Sequence, residues 1–274
     1  MRPLIAILFK AGALSAALSL PAAGCTVKED RTPCPCYLQV GFSDRGSIPP
    51  GAEVLLLGWG EEELFRAGID VADHDPYWVK AVRKGTFCLS ACRGGGAVTG
   101  SGHCVTITPG HQCDSLYAYH AGVDATGDMA HAQVTFRKQF CTVHLDIMRT
   151  PSEMSRFRFL VEGNSCGVDL LTFDPVPGTY RFTPEPETGG RLVDFRIPRQ
   201  ADEDLSLTLW SVNADGALDR IGTFPLGSYI ARTGYDWKAE DLQDVYIIID
   251  LVLGQMLVSV EGWENGVLFP FIEQ

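Results

Sequence analysis

The chain has 274 residues, with 22 Lys and Arg against 34 Asp and Glu and a formal net charge of −12. Such an acidic surface repels phosphate backbones, and no basic stretch with interleaved aromatics offsets it, so nucleic acid is excluded as a partner. A hydrophobic fraction of 46% argues against disorder, and the length suits one large or two ordinary domains.

Residues 1–24 read as a cleaved lipoprotein signal peptide. Arg2 and Lys10 supply positive charge, and the stretch from Ala11 to Ala23 is apolar and free of acids. It is too short to span a bilayer comfortably, and no stop-transfer segment follows. It ends in Leu20-Pro-Ala-Ala-Gly-Cys25, which resembles a bacterial lipobox: small residues before the cysteine let the peptidase cut, and the thiol then carries diacylglycerol. Ala22 stands where leucine is usual, so Gly24-Cys25 carries the match. The other reading is an ordinary secretory signal cut near Ala23, with Cys25 left as a plain thiol. On the first reading residues 25–32 are a lipidated linker and Cys25 is the lipid-attachment residue.

From residue 33 on, the chain punctuates like an all-β protein. Strands are expected at 37–42, 53–59, 85–89, 105–108, 133–136 and 141–147, each rich in β-branched or aromatic residues and bounded by Gly, Pro or Asp. Val143, Leu145 and Ile147 alternate with Thr142, His144 and Asp146, the period of a half-buried strand. A second group is expected at 156–161, 178–182, 193–197, 205–212, 245–251 and 255–260. Asn213-Ala-Asp-Gly216 closes a hairpin after 205–212 rather than forming a calcium loop, because the remaining acidic loop positions are missing. The clearest helical segment is Trp237–Leu242, about one turn. The two groups divide near Arg149-Thr-Pro-Ser152, which predicts two tandem β-sandwiches over residues 33–150 and 151–274.

Lipidation of Cys25 leaves Cys34, Cys36, Cys88, Cys92, Cys104, Cys113, Cys141 and Cys166. An even number in an exported chain fits disulfides or structural thiols, with no connectivity selected. Zinc is the rival: Cys34-x-Cys36 is tighter than the usual knuckle, and Cys88-x3-Cys92 has only His103 beside Cys104 as a second pair. No metal site is expected.

The motifs have an order that is familiar. Cys25-Thr-Val-Lys-Glu-Asp-Arg-Thr-Pro-Cys-Pro-Cys36-Tyr-Leu, directly after the lipobox, resembles the opening of the FimB-like fimbrial anchor family of Bacteroidales type V pili. Phe195-Arg-Ile-Pro-Arg-Gln200, Phe224-Pro-Leu-Gly-Ser-Tyr-Ile230, Gly234-Tyr-Asp-Trp237, Val245-Tyr-Ile-Ile-Ile-Asp250 and Val258-Ser-Val-Glu-Gly-Trp263 resemble its C-terminal half. The resemblance is dense over 25–42 and 190–263 and thin between. It implies two transthyretin-like sandwiches, an outer-membrane anchor through lipid on Cys25, fimbrial subunits at the pilus base as partners, and a role in tethering the pilus and limiting its length. It also gives Lys28-Glu29-Asp30 a reading as the short acidic signal that sends lipoproteins to the cell surface; the other reading is solvated linker charge.

Enzyme chemistry lacks its motifs, so no catalytic residue and no cofactor is expected. Gly100-Ser-Gly-His103 lacks nucleophile-elbow spacing, Gly94-Gly-Gly96 lacks a P-loop lysine, and the six histidines show no i, i+4 metal pair. Glu61-Glu-Glu63 and Asp202-Glu-Asp204 lie in turn-like stretches rather than facing one bond from separate places. Within the fimbrial class the alternative is a stalk or tip fimbrillin; outside it, a glycan-binding surface lipoprotein using Trp59, Trp78 or Tyr117 as stacking platforms. For pilus assembly the free-end segment Val267–Ile272 is the better strand-exchange piece, with Pro270 interrupting a regular ladder.

Overall fold

Cys36, Leu38 and Val40 are fully buried while Tyr37 between them is half exposed. Successive side chains of a strand point to opposite faces, so this segment must lie over a core. The computed structural model, which describes residues 31, 33–43, 45–94, 102–148, 156–186, 192–260 and 266–270, places it there as β1 (Cys36–Phe42). It pairs antiparallel with β4 (Trp78–Val82) and parallel with β8 (Met129–Val134). Across the core lies an antiparallel sheet in the order β3 (Glu63–Asp70), β2 (Glu53–Trp59), β5 (Thr86–Arg93), β7 (Tyr117–Asp124), β9 (Arg137–Lys138). Leu38, Val40, Leu56, Phe65, Phe87, Leu89 and Val134 fill the space between them.

The second sandwich has one sheet ordered β13 (Leu192–Pro198), β10 (Phe140–Met148), β16 (Val245–Asp250), β17 (Gln255–Val260), β18 (Val267–Pro270). Facing it is the sheet β12 (Pro175–Phe182), β11 (Phe157–Asp169), β14 (Ser206–Val212), β15 (Leu218–Phe224), with β6 (Cys104–Thr106) added to the far end of β11. Val143, Leu145, Phe157, Phe159, Phe195, Leu207, Ile247 and Val258 form its core. The fold is all-β, as expected, and Asn213–Gly216 closes the β14–β15 hairpin, with Gly216 at φ 85°.

Two strands cross the division expected near residue 150. β10 hydrogen-bonds to β13 and β16, and β6 to β11, so strands grouped by sequence with the first sandwich build the second. The alternation of Val143, Leu145 and Ile147 specifies a buried face but not which core receives it. An added Cβ at Gly167 would lie 2.1 Å from the Val105 carbonyl oxygen, so the approach of β6 to β11 needs glycine there. Cys92, Val105, Leu116, Ala118, Val168 and Leu170 form a small third cluster under this crossing.

The helical turn expected at 237–242 is replaced by a series of turns, and the helix is α1 (Leu226–Arg232) instead. The reason is a competing donor. Arg199, buried in the fold, gives its guanidinium N–H groups to the carbonyls of Trp237 and Ala239, which a helix would have used internally. Asp236 also accepts the Lys238 N–H at 2.8 Å, a local turn that competes with helix.

The described cysteines, Cys34 to Cys166, are free thiols. Cys36, Cys92, Cys113 and Cys141 are buried, and burial pushes the thiols of Cys92, Cys113 and Cys141 up to about 12. They act as small apolar side chains, not as nucleophiles or ligands.

Candidate functional site

The C-terminal sheet holds the features that a strand-pairing partner would use. In β16, Val245, Ile247 and Ile249 point inward and are fully buried, while Tyr246 and Ile248 point outward and are half-buried. A tight turn follows: Asp250 Oδ1 accepts the N–H groups of Val252 at 3.1 Å and Leu253 at 2.9 Å. The chain returns as β17, with Met256 and Val258 inward.

β18 then pairs with β17 through Met256↔Phe269, Leu257↔Leu268 and Val258↔Val267, ending at Gln255↔Pro270. It is the terminal strand of its sheet. Proline has no N–H to give a ladder, and the sheet accommodates it as the last residue of an edge strand. One side chain anchors β18: Phe269 is 5% exposed, stacks on Tyr229 of α1, and lies 5.4 Å from the Arg232 guanidinium.

The outer face of this sheet carries a row of apolar side chains that Asp146 interrupts. Register places Leu192, Asp146, Ile248, Leu257 and Leu268 side by side across all five strands. Leu192 is 52% and Leu268 56% exposed, with Val252 and Leu253 also exposed at the β16–β17 turn. Sheet edges are ordinarily blunted by charge or by proline; among the described residues of β18 only Pro270 does so. Sequence reasoning found the edge segment but missed the line, whose only trace is that Ile248 and Leu257 are apolar at outward positions.

Elsewhere the expected site residues separate. Cys25, Lys28, Glu29 and Asp30 lie outside the described residues, as does Ser101. Trp78 is buried in the first core, and Tyr117 has the Arg93 guanidinium 4.3 Å over its ring and Phe140 edge-on. Trp59 meets the His103 ring edge-on at 4.9 Å. These three aromatics do not share one open face. Glu63 is paired with Arg66 at 2.9 Å, and the Asn164 amide donates to both Asp202 and Asp204, so both acidic runs serve local structure.

An edge strand with apolar outward side chains, on the second of two β-sandwiches, defines an all-β sandwich protein by fold. No protein-family model matches the chain, and neither does any curated protein. Solved structures do. The fimbrial anchor protein Mfa2 from Porphyromonas gingivalis matches with a TM-score of 0.58 and 10% identity over 85% of this chain and 99% of that one. A candidate adhesin from Bacteroides thetaiotaomicron matches with a TM-score of 0.55 and 14% identity over 84% and 97%. One from Bacteroides ovatus gives 0.53 and 12% over 88% and 96%. At these identities the likeness is one of fold, and it runs the length of both sandwiches.

Proposed function

We propose that this protein is an outer-membrane lipoprotein, lipidated on Cys25, that anchors a type V fimbria to the cell surface and limits its length. The observation that carries the reading is the short edge strand β18, fastened by Phe269, with Leu268 exposed on its outer face beside the half-buried Leu257 and Ile248. An incoming strand at this edge gains a ladder of backbone hydrogen bonds, each worth ~0.5–1.5 kcal/mol net, and buries Leu268 and its neighbours as well. The fold shared with a fimbrial anchor protein over nearly the whole of both chains supports the same reading. Lys28-Glu29-Asp30 would direct the lipidated chain to the outer face, and the basal fimbrial subunit would be its partner. The anchor has no catalytic task.

The test is deletion of residues 265–274. The shortened protein should still fold and carry lipid, while fimbriae are shed into the medium. Fimbriae that stay attached at normal length would overturn strand pairing at this edge. Free fimbriae carrying the chain along their shafts would instead make it a stalk subunit.

A further inference from the structure

His103 and Cys104 lie on the excursion between β5 and β7 that delivers β6 to the second sandwich. Asp169, the last residue of β11, is directly opposite Cys104 in that ladder. Residues opposite one another in a ladder project to the same face. The His103 ring turns onto the pair, with Nδ1 2.9 Å from Asp169 Oδ1 and 3.8 Å from Cys104 Sγ. The three donor atoms lie within 4.8 Å of one another.

The surroundings hold this arrangement from several sides. Leu170 N–H donates to the His103 carbonyl at 2.9 Å, and Leu171 N–H donates to Asp169 Oδ1 at 2.8 Å. Arg66, neutralised by Glu63, donates to the Gly102 carbonyl. Trp59 packs edge-on against the imidazole. The side chains of His103 and Asp169 keep 30% and 22% of their surface open, enough for an ion to enter.

A nucleophile–base–acid relay needs one ring nitrogen facing the thiol and the other facing the carboxylate. Here both contacts fall on Nδ1, so the donors converge on a common point instead of forming a chain. Ligands around a tetrahedral ion with bonds of ~2.0–2.3 Å stand roughly 3.3–3.8 Å apart, within a small rotation of the spacing found. One imidazole, one thiol and one carboxylate favour a zinc-class ion over calcium or magnesium, which prefer oxygen ligands.

We propose that His103, Cys104 and Asp169 form a three-ligand site for a zinc-class transition-metal ion, with water in the fourth position, and that the ion pins β6 onto β11. The site owes nothing to the fimbrial reading. Two of its ligands come from the excursion out of the first sandwich and the third from the second, so a bound ion would brace the joint between them.

The experiment titrates the purified, phosphine-reduced protein with cobalt(II) and follows the thiolate-to-cobalt charge-transfer band. The wild type and a Cys34→Ser control should show the band, and zinc should bleach it. Cys104→Ser should abolish it, and His103→Gln and Asp169→Asn should each weaken cobalt binding by ~10-fold or more, at least the loss seen for an outer-shell partner. Circular dichroism checks that each variant is folded; Cys104 is exposed, so its serine variant keeps the fold. No band in the wild type, a band that survives Cys104→Ser, or one lost in Cys34→Ser would overturn the proposal.

Discussion

Phe269 lies face to face with Tyr229, their ring centroids 4.3 Å apart and their planes 16° from parallel. The contact ties the last described strand to the only α-helix among the described residues, and Arg232 closes over its edge. Phe269→Ala should therefore lower stability by ~2–4 kcal/mol, from lost burial, cavity and ring contact. Denaturant unfolding measures the loss, and hydrogen exchange at the β17 amides should rise with it. A loss below about 0.5 kcal/mol would mean that β18 is not held by this ring.

Leu268, one residue away, points outward and is 56% exposed. Leu268→Asp should leave the unfolding free energy within ~0.5 kcal/mol of the wild type, as exposed sites do. Placed beside Leu257 on the proposed docking face, the charge should reduce the fimbriae retained on cells. Counting attached against shed fimbriae by microscopy separates this from Phe269→Ala, which acts on the fold itself.

Cys25→Ala should abolish incorporation of radiolabelled palmitate and move the protein from the membrane to the soluble fraction. Equal labelling of the two forms would refute lipidation at this residue, whatever the role of the sheet edge.

Asp244 joins the two sandwiches by accepting from Lys138 of β9 and from Thr142 N–H of β10 at 2.8 Å. Burial works against its charge, yet these donors outweigh it and hold the carboxyl below the usual carboxylate range. A carboxyl depressed in the folded state adds stability above its unfolded pKa of ~3.9 and loses it as pH falls through the lower folded value. Asp244→Asn should thus be destabilised at neutral pH, and its deficit should shrink below about pH 4. Thermal unfolding of both proteins across pH 3–7 tests this; a deficit that does not change with pH would count against the ion pair.

A specific protease site inserted between residues 149 and 155 should yield two fragments that stay together on gel filtration. β10 on one fragment is hydrogen-bonded between β13 and β16 on the other. Fragments that separate without denaturant would be inconsistent with that pairing.

Local patterns made much of the fold legible. Glu53–Trp59 and Gln255–Val260 are strands at the expected bounds, because both are short runs of apolar and β-favouring residues between turns. Tyr117–Asp124 was not legible: Tyr-Ala-Tyr-His-Ala-Gly-Val-Asp has one β-branched residue, and its strand is defined by pairing with β5 and β9. Propensity is silent where neighbours decide. The same holds for Arg199, whose hold on the 237–239 carbonyls is a contact across the fold that no local window contains. Of the candidate site, the terminal strand could be read from its apolar run and Pro270. The line across the sheet could not, since it needs the register of five strands at once.

The parallel pairing of β10 with β16 matches Val143 to Val245. Synthesis proceeds from the N-terminus, so β10 waits for about a hundred further residues before its parallel neighbour exists. During that interval Val143, Leu145 and Ile147 have no closed core to enter, and β6 has crossed from the first sandwich toward a sheet still being made. Long-range parallel pairing of this kind is slow and leaves strand edges open to other chains. The second sandwich therefore cannot close before β16 is made, and until it does the chain depends on whatever holds it apart from its own copies.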